Sequence, residues 1–97
     1  MNIGVCKIKL HLPDNQSLKD KRRIVKSIIS RLRSQYNISV AEVDDQNLWQ
    51  IATLGVTCVS NHSQHVDEVL SKVVDFITRN HPELEIVDRN IEILHGL

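Results

Sequence analysis

Ninety-seven residues, 41% of them hydrophobic and 25% charged with a formal net charge of zero, fit one compact domain spanning residues 1–97 and leave no room for a second core. The apolar runs are a few residues long, far short of the ~20 that a membrane-spanning helix needs, and the N-terminus reads at once as a strand, so a soluble protein without an export signal is expected. Cys6 and Cys58 lie on separate segments without the close spacing of a zinc or redox motif, which favours buried free thiols and a reducing, cytoplasmic setting.

The first segment, residues 5–12 (VCKIKLHL), alternates Cys6, Ile8, Leu10 and Leu12 against Lys7, Lys9 and His11, the period of a half-buried strand. Pro13 to Gln16 break that pattern. Ser17, with Asp20 three residues on, then has the form of a capping box for a helix running to about Tyr36. Along it Leu18, Ile24, Val25, Ile28, Ile29, Leu32 and Tyr36 share an arc of about 140°, the width of a core-facing stripe. Residues 38–43 and 51–59 are β-rich runs joined by DDQNLWQ, too short for a helical crossover, so they form an antiparallel hairpin. Asn61 with Gln64 opens a second helix on which Val66, Val69, Leu70, Val73, Val74 and Ile77 recur at helical spacing, and the NHP at 80–82 closes it. Residues 84–94 supply a fourth strand. The order βαββαβ at this length is that of the α+β ferredoxin-like sandwich, a four-stranded antiparallel sheet with two helices on one face and the other face open. The central strands of that topology are the first and third, which brings Cys6 and Cys58 near one another without requiring a bond.

Fold alone does not assign function, since this architecture carries many activities. Two isolated thiols cannot hold an iron–sulfur cluster. The open-face positions Val5, Lys7, Lys9 and His11, with Ile51, Thr53, Thr57 and Val59, include no aromatic ring on which an RNA base could stack in the manner of an RNA-recognition motif. His62 and His65 have a metal-compatible spacing, but no further ligand cluster completes a tetrahedral site, and a polar first turn is the favoured reading. Glu42, Asp44 and Asp45 read as a solvated acidic hairpin tip. No nucleophile elbow or phosphate loop is present, so no catalytic residue, cofactor, metal or small-molecule ligand is inferred.

Charge distribution is the strongest functional signal. Residues 1–51 carry nine Lys/Arg against five Asp/Glu (9 − 5 = +4), and residues 52–97 carry three against seven (3 − 7 = −4). Seven of the twelve basic residues fall between Ser17 and Arg33. Lys19, Arg22, Arg23, Lys26 and Arg33 occupy one arc of about 100° beside the apolar stripe. Exposed helix faces ordinarily mix both signs, yet Lys19 with Arg23 and Arg22 with Lys26 set like charges one turn apart, a small penalty that a polyanion would remove. Lys21 projects into the apolar arc, where it either meets a carboxylate or snorkels past the sheet edge; snorkelling is the favoured reading. Trp49 either folds back over the core edge or anchors a protein interface. Ile51 and Val59 suggest that the open sheet face is covered, a second copy of the chain being one candidate for a homodimer.

Ser17-Leu18-Lys19, Lys21-Arg22, Ala41-Glu42-Val43, Leu48-Trp49-Gln50 and Ala52-Thr53-Leu54-Gly55, in that order, strongly resemble the YlxP-like family of small bacterial proteins, a domain of unknown function. The match runs through nearly the whole chain. The resemblance implies a ferredoxin-like α/β sandwich and no established activity. Genes of this family often stand near those for a translation initiation factor and a ribosome-binding factor, which implies ribosomal RNA or a ribosomal precursor as the polyanion. The tip reads Asp44-Asp45 where relatives often carry Asp-His. The expectation is a non-enzymatic RNA- or ribosome-associated module that contacts phosphates through Lys19, Arg22, Arg23, Lys26 and Arg33, helped by Lys7 and Lys9. The alternative is a homo-oligomeric structural or regulatory domain pairing through the open face, with Trp49, Ile51 and Val59 at the interface.

Overall fold

A computed structural model describes residues 1–97. Six elements follow one another: β1 (Asn2–His11), α1 (Leu18–Gln35), β2 (Ser39–Asp44), β3 (Ile51–Ser60), α2 (Ser63–Asn80) and β4 (Glu85–Leu94). The sheet order is β2-β3-β1-β4 with every neighbouring pair antiparallel, the ferredoxin-like arrangement. Alternation in the two central strands sends Cys6, Ile8 and Leu10 from β1, and Ala52, Leu54, Val56 and Cys58 from β3, to the helix-covered side. There they meet Val25, Ile28 and Leu32 of α1 and Val66, Leu70, Val73 and Ile77 of α2 in one 18-residue core. Each fully buried Leu or Ile contributes about 1.5–3 kcal/mol by leaving water.

β1 begins at Asn2, three residues before the alternation is clear, because Ile3 and Gly4 continue the register against Val59 and Cys58. Gly4 is required by packing. A Cβ there would lie 2.2 Å from Val66 Cγ1 and 2.8 Å from Leu70 Cδ1, so α2 rests directly on the backbone of β1. The thiols are diagonal neighbours: Cys6 faces Val56 and Cys58 faces Gly4, and both remain free and buried.

The helix starts differ from each other. Ser17 Oγ accepts the Asp20 N–H at 3.1 Å, one half of the expected capping box of α1, while the Asp20 carboxylate turns to Arg23 and not back to the Ser17 N–H. Asn61 does not cap α2, whose N-cap is His62 without a side-chain bond. The Asn61 carboxamide oxygen is turned instead to the Ser60 hydroxyl, which also accepts the His62 N–H. α2 lies over β1, β3 and β4, whereas α1 lies nearest β2. Tyr36 at the end of α1 meets Phe76 of α2 edge-on, with ring centroids 6.0 Å apart.

Candidate functional site

The stripe that turns Val25, Ile28 and Leu32 into the core necessarily turns Lys19, Arg22, Arg23, Lys26 and Arg33 outward, and all five are exposed. From Lys19 to Arg33 they extend about 21 Å along the helix axis. Their internal partners are few. Arg23 approaches Asp20 at 3.5 Å, both side chains being well exposed, a pair of little energetic weight. Arg33 donates to the Val40 carbonyl at 3.1 Å, covering a backbone acceptor on the outer strand of the sheet. Lys19, Arg22 and Lys26 have no carboxylate within 4.0 Å. Arg22, Lys26 and Arg33 rim a groove of about 550 Å³ between α1 and β2, with Val25, Ile29 and Val40 among its lining residues.

Lys21 departs from the expectation that it snorkels. It is 1% exposed, and its ammonium sits 2.8 Å from Glu42 Oε2 while donating to the Asp45 carbonyl. The reason is register: Glu42 follows Val40 on the helix-facing side of β2, directly beneath the first turn of α1. The contact with Glu42 is an ion pair rather than a well-directed hydrogen bond, since Oε2 has no partner of hydrogen-bonding geometry. Asp45 itself has φ 60°, a left-handed conformation that aspartate tolerates better than most residues. Its N–H donates to Asp44 Oδ1 at 2.8 Å and its Oδ2 accepts from the buried Thr53 hydroxyl at 2.7 Å. The hairpin tip is therefore fastened, not a freely solvated turn.

A second tie joins this tip to the turn before α1. Gln50 Nε2 donates to the Asn15 carbonyl at 3.1 Å, the buried Asn15 side chain donates to the Trp49 carbonyl at 3.3 Å, and the Leu12 N–H donates to the Gln50 carbonyl at 2.8 Å. Nothing in the local spacing of Asn15 and Gln50 marks this contact, because the two residues meet only after the sheet has formed.

Lys7 and Lys9 alternate with Cys6 and Ile8, and so project from the open face, on the far side of the sheet from the helices. They do not extend the basic patch of α1. Trp49, Ile51 and Val59 are likewise not one patch. Trp49 is exposed in the loop before β3, Ile51 pairs with His11, and Val59 pairs with Ile3 at the opposite end of the strand, roughly 26 Å from Ile51 at 3.3 Å per residue. Val59 instead joins Val5 and Leu94, both exposed, at that far end.

Burial pushes both thiols up, with Arg89 partly opposing it at Cys6, so neither has the character of an activated nucleophile. His62 and His65 are exposed beside Asn2 and Glu68 around an open depression. No set of three or more His, Cys, Asp or Glu side chains converges in a geometry suited to a metal ion, and no helix is long and apolar enough to cross a membrane.

Comparison with known sequences decides the family. Residues 3–91 match the family described as "Protein of unknown function (DUF503)". The chain belongs to the DUF503 family. A curated relative, the "Uncharacterized protein YlxP" of Bacillus subtilis (strain 168), is 32% identical over 83 residues, covering 86% of this chain and 89% of the relative. Among solved structures, a de novo designed protein with ferredoxin fold superposes with a TM-score of 0.58 at 15% identity, covering 99% of this chain and 89% of the design. The C-terminal segment of the alpha subunit of aIF2 from Pyrococcus abyssi superposes with a TM-score of 0.52 at 12% identity, covering 100% of this chain and 51% of that one. At those identities the structural likeness bears on the DUF503 fold alone.

Proposed function

We propose that this DUF503 protein is a non-enzymatic module that binds the phosphate backbone of RNA along the exposed face of α1. Ribosomal RNA or a ribosomal precursor is the class that the family resemblance favours, and the free buried thiols suit a cytoplasmic setting. One observation carries the reading: Lys19, Arg22 and Lys26 stand on one helix face with no carboxylate of the chain within 4.0 Å. The protein's other crowded cation, Lys21, is neutralised internally, so the unpaired state of these three is a property of the face and not of the chain's composition. Arg23 and Arg33 lie on the same face, with weak or displaceable partners.

The test is salt-dependent binding to single-stranded RNA. About four phosphate contacts give a log–log slope near −3, and replacing Lys19, Arg22 and Lys26 together by glutamate reduces it to near −1. An unchanged slope in that triple variant removes the assignment.

A second reading, pairing of two copies through the open sheet face, is favoured by the exposed cluster of Val5, Val59 and Leu94. Sedimentation at high micromolar concentration discriminates it, since a strict monomer contradicts it.

A further inference from the structure

On the open face, all four strands contribute to a polar depression of about 280 Å³. Lys9 of β1 lies between Thr53 of β3 and Asp88 of β4, and Lys7 lies between Gly55 and Asn90. Asp44 and Asp45 close the side next to β2. Five charges therefore face one small space, three carboxylates and two ammonium groups, yet none of them forms an ion pair within 4.0 Å. Even Lys9 and Asp88, directly opposite across the strands, stay apart; the register shifts immediately after this pair, and such irregularities re-aim side chains. Both signs are left without an internal ion-pair partner, so each has an opposite charge still to receive. A guest carrying both an ammonium and a carboxylate complements it.

Asp45 is held ready for such a guest. Its left-handed backbone is fixed by the buried Lys21 ammonium on its carbonyl, and its carboxylate by the buried Thr53 hydroxyl. A strained residue persists only where its surroundings over-determine it, and such residues cluster at binding sites. Lys7 also borders a second hollow of about 460 Å³, walled by Val5, Val43 and Thr57 above Gly55. A Cβ on Gly55 would come within 2.8 Å of Val43 Cγ1, so the glycine lets the Val43 side chain lie down against the sheet as one wall of the hollow. Lys7 is thus common to the charged depression and to this more apolar hollow.

We propose that this trough binds a free α-amino acid with an aliphatic side chain. The carboxylate lies against Lys7 and Lys9, the ammonium against Asp45 and Asp88, and the side chain in the hollow between Val5 and Val43. The site is on the opposite side of the sheet from the cations of α1, and it stands or falls independently of RNA binding.

The experiment is amide NMR of the full chain titrated separately with L-leucine, isocaproate, which lacks the ammonium, and isoamylamine, which lacks the carboxylate. L-leucine saturates shifts on β1, β3 and β4 with a Kd of about 1 mM, the strength expected of so small a ligand, and each analogue binds at least ~10-fold more weakly. Lys9→Gln and Asp88→Asn, both exposed positions, each weaken L-leucine by about tenfold, whereas Lys26→Glu on α1 leaves it unchanged. No saturation below about 20 mM, equal responses to the three compounds, or undiminished affinity in both open-face variants overturns the proposal.

Discussion

The Lys21 ammonium and the Glu42 carboxylate lie 2.8 Å apart, the lysine side chain 1% exposed and the glutamate 18%. They lock the first turn of α1 to β2 on the helix-covered side of the sheet, and Lys21 also reaches the Asp45 carbonyl. Removing one member of a buried pair leaves the other charge uncompensated, at about 3 kcal/mol or more, whereas replacing both by apolar groups costs much less. Lys21→Met alone and Glu42→Leu alone should each lower unfolding free energy by about 3 kcal/mol, and the double variant should recover most of the loss. Urea denaturation at unchanged m-value measures this. Losses that simply add would show that the two side chains do not depend on one another.

Gly4 and Val66 supply a second, steric prediction. Gly4→Ala drives a methyl group to within 2.2 Å of Val66 Cγ1, which forces α2 off the sheet and costs about 1–3 kcal/mol by overpacking. Adding Val66→Ala opens that space, so the double variant should be more stable than the sum of the two single changes predicts. Thermal unfolding of the four proteins in the cycle decides the point.

These contacts mark where sequence pattern stops being informative. The strands and helices were legible because Cys6, Ile8 and Leu10 repeat at period two and Val25, Ile28 and Leu32 at helical period, and the Ser17 cap because both of its partners lie within four residues. Topology followed from element order. The pairing of Lys21 is not legible in the sequence, because its neutralising partner Glu42 is 21 positions away and on another element. A helical wheel shows that Lys21 points inward but not what awaits it. Trp49, Ile51 and Val59 are set apart for a similar reason: Trp49 precedes β3, and the length of that strand separates Ile51 from Val59. Charge alone groups Lys7 and Lys9 with α1, whereas the alternation of β1 places them across the sheet from it. Asp45 carried no signal at all, since its left-handed backbone and its bond to Thr53 arise only once the hairpin closes.

The thiols give a pH prediction. Burial raises the pKa of both Cys6 and Cys58 in the folded chain, so at alkaline pH the unfolded state loses its thiol protons first. Their contribution to stability is fully present below the unfolded thiol value of about 8.5 and is lost as pH rises through the higher folded values. Stability should fall from about pH 8 to pH 10, and the Cys6→Ala/Cys58→Ala variant, although less stable at neutral pH, should show a shallower fall over the same interval. An equal slope in both proteins assigns the alkaline loss to other groups. In the native protein both thiols should also react slowly with a disulfide reagent, and rapidly after unfolding.

Arg22 sets stability against binding. It lies four residues before Lys26 with no carboxylate partner, so the folded helix retains an i,i+4 repulsion. A glutamate at position 22 replaces that repulsion with an attraction in the favourable orientation, and also places an acid three residues after Lys19. Arg22→Glu should therefore raise stability by roughly 0.5 kcal/mol, a melting-temperature gain of about 2–4 °C for a chain of this size. Arg22→Gln, which removes only the repulsion, should gain about half as much. The same Arg22→Glu change should weaken RNA binding and flatten its salt dependence by about 0.7 in log–log slope, the loss of one phosphate contact. A face shaped only for solubility has no reason to forgo a stabilising exchange available by one substitution, whereas a face that receives phosphates must keep its cations unpaired. Calorimetry and salt-titrated binding on the same three proteins test both halves: stabilisation without loss of RNA affinity makes the basic arc mere surface, and destabilisation shows that Arg22 holds a structural contact in the α1–β2 groove.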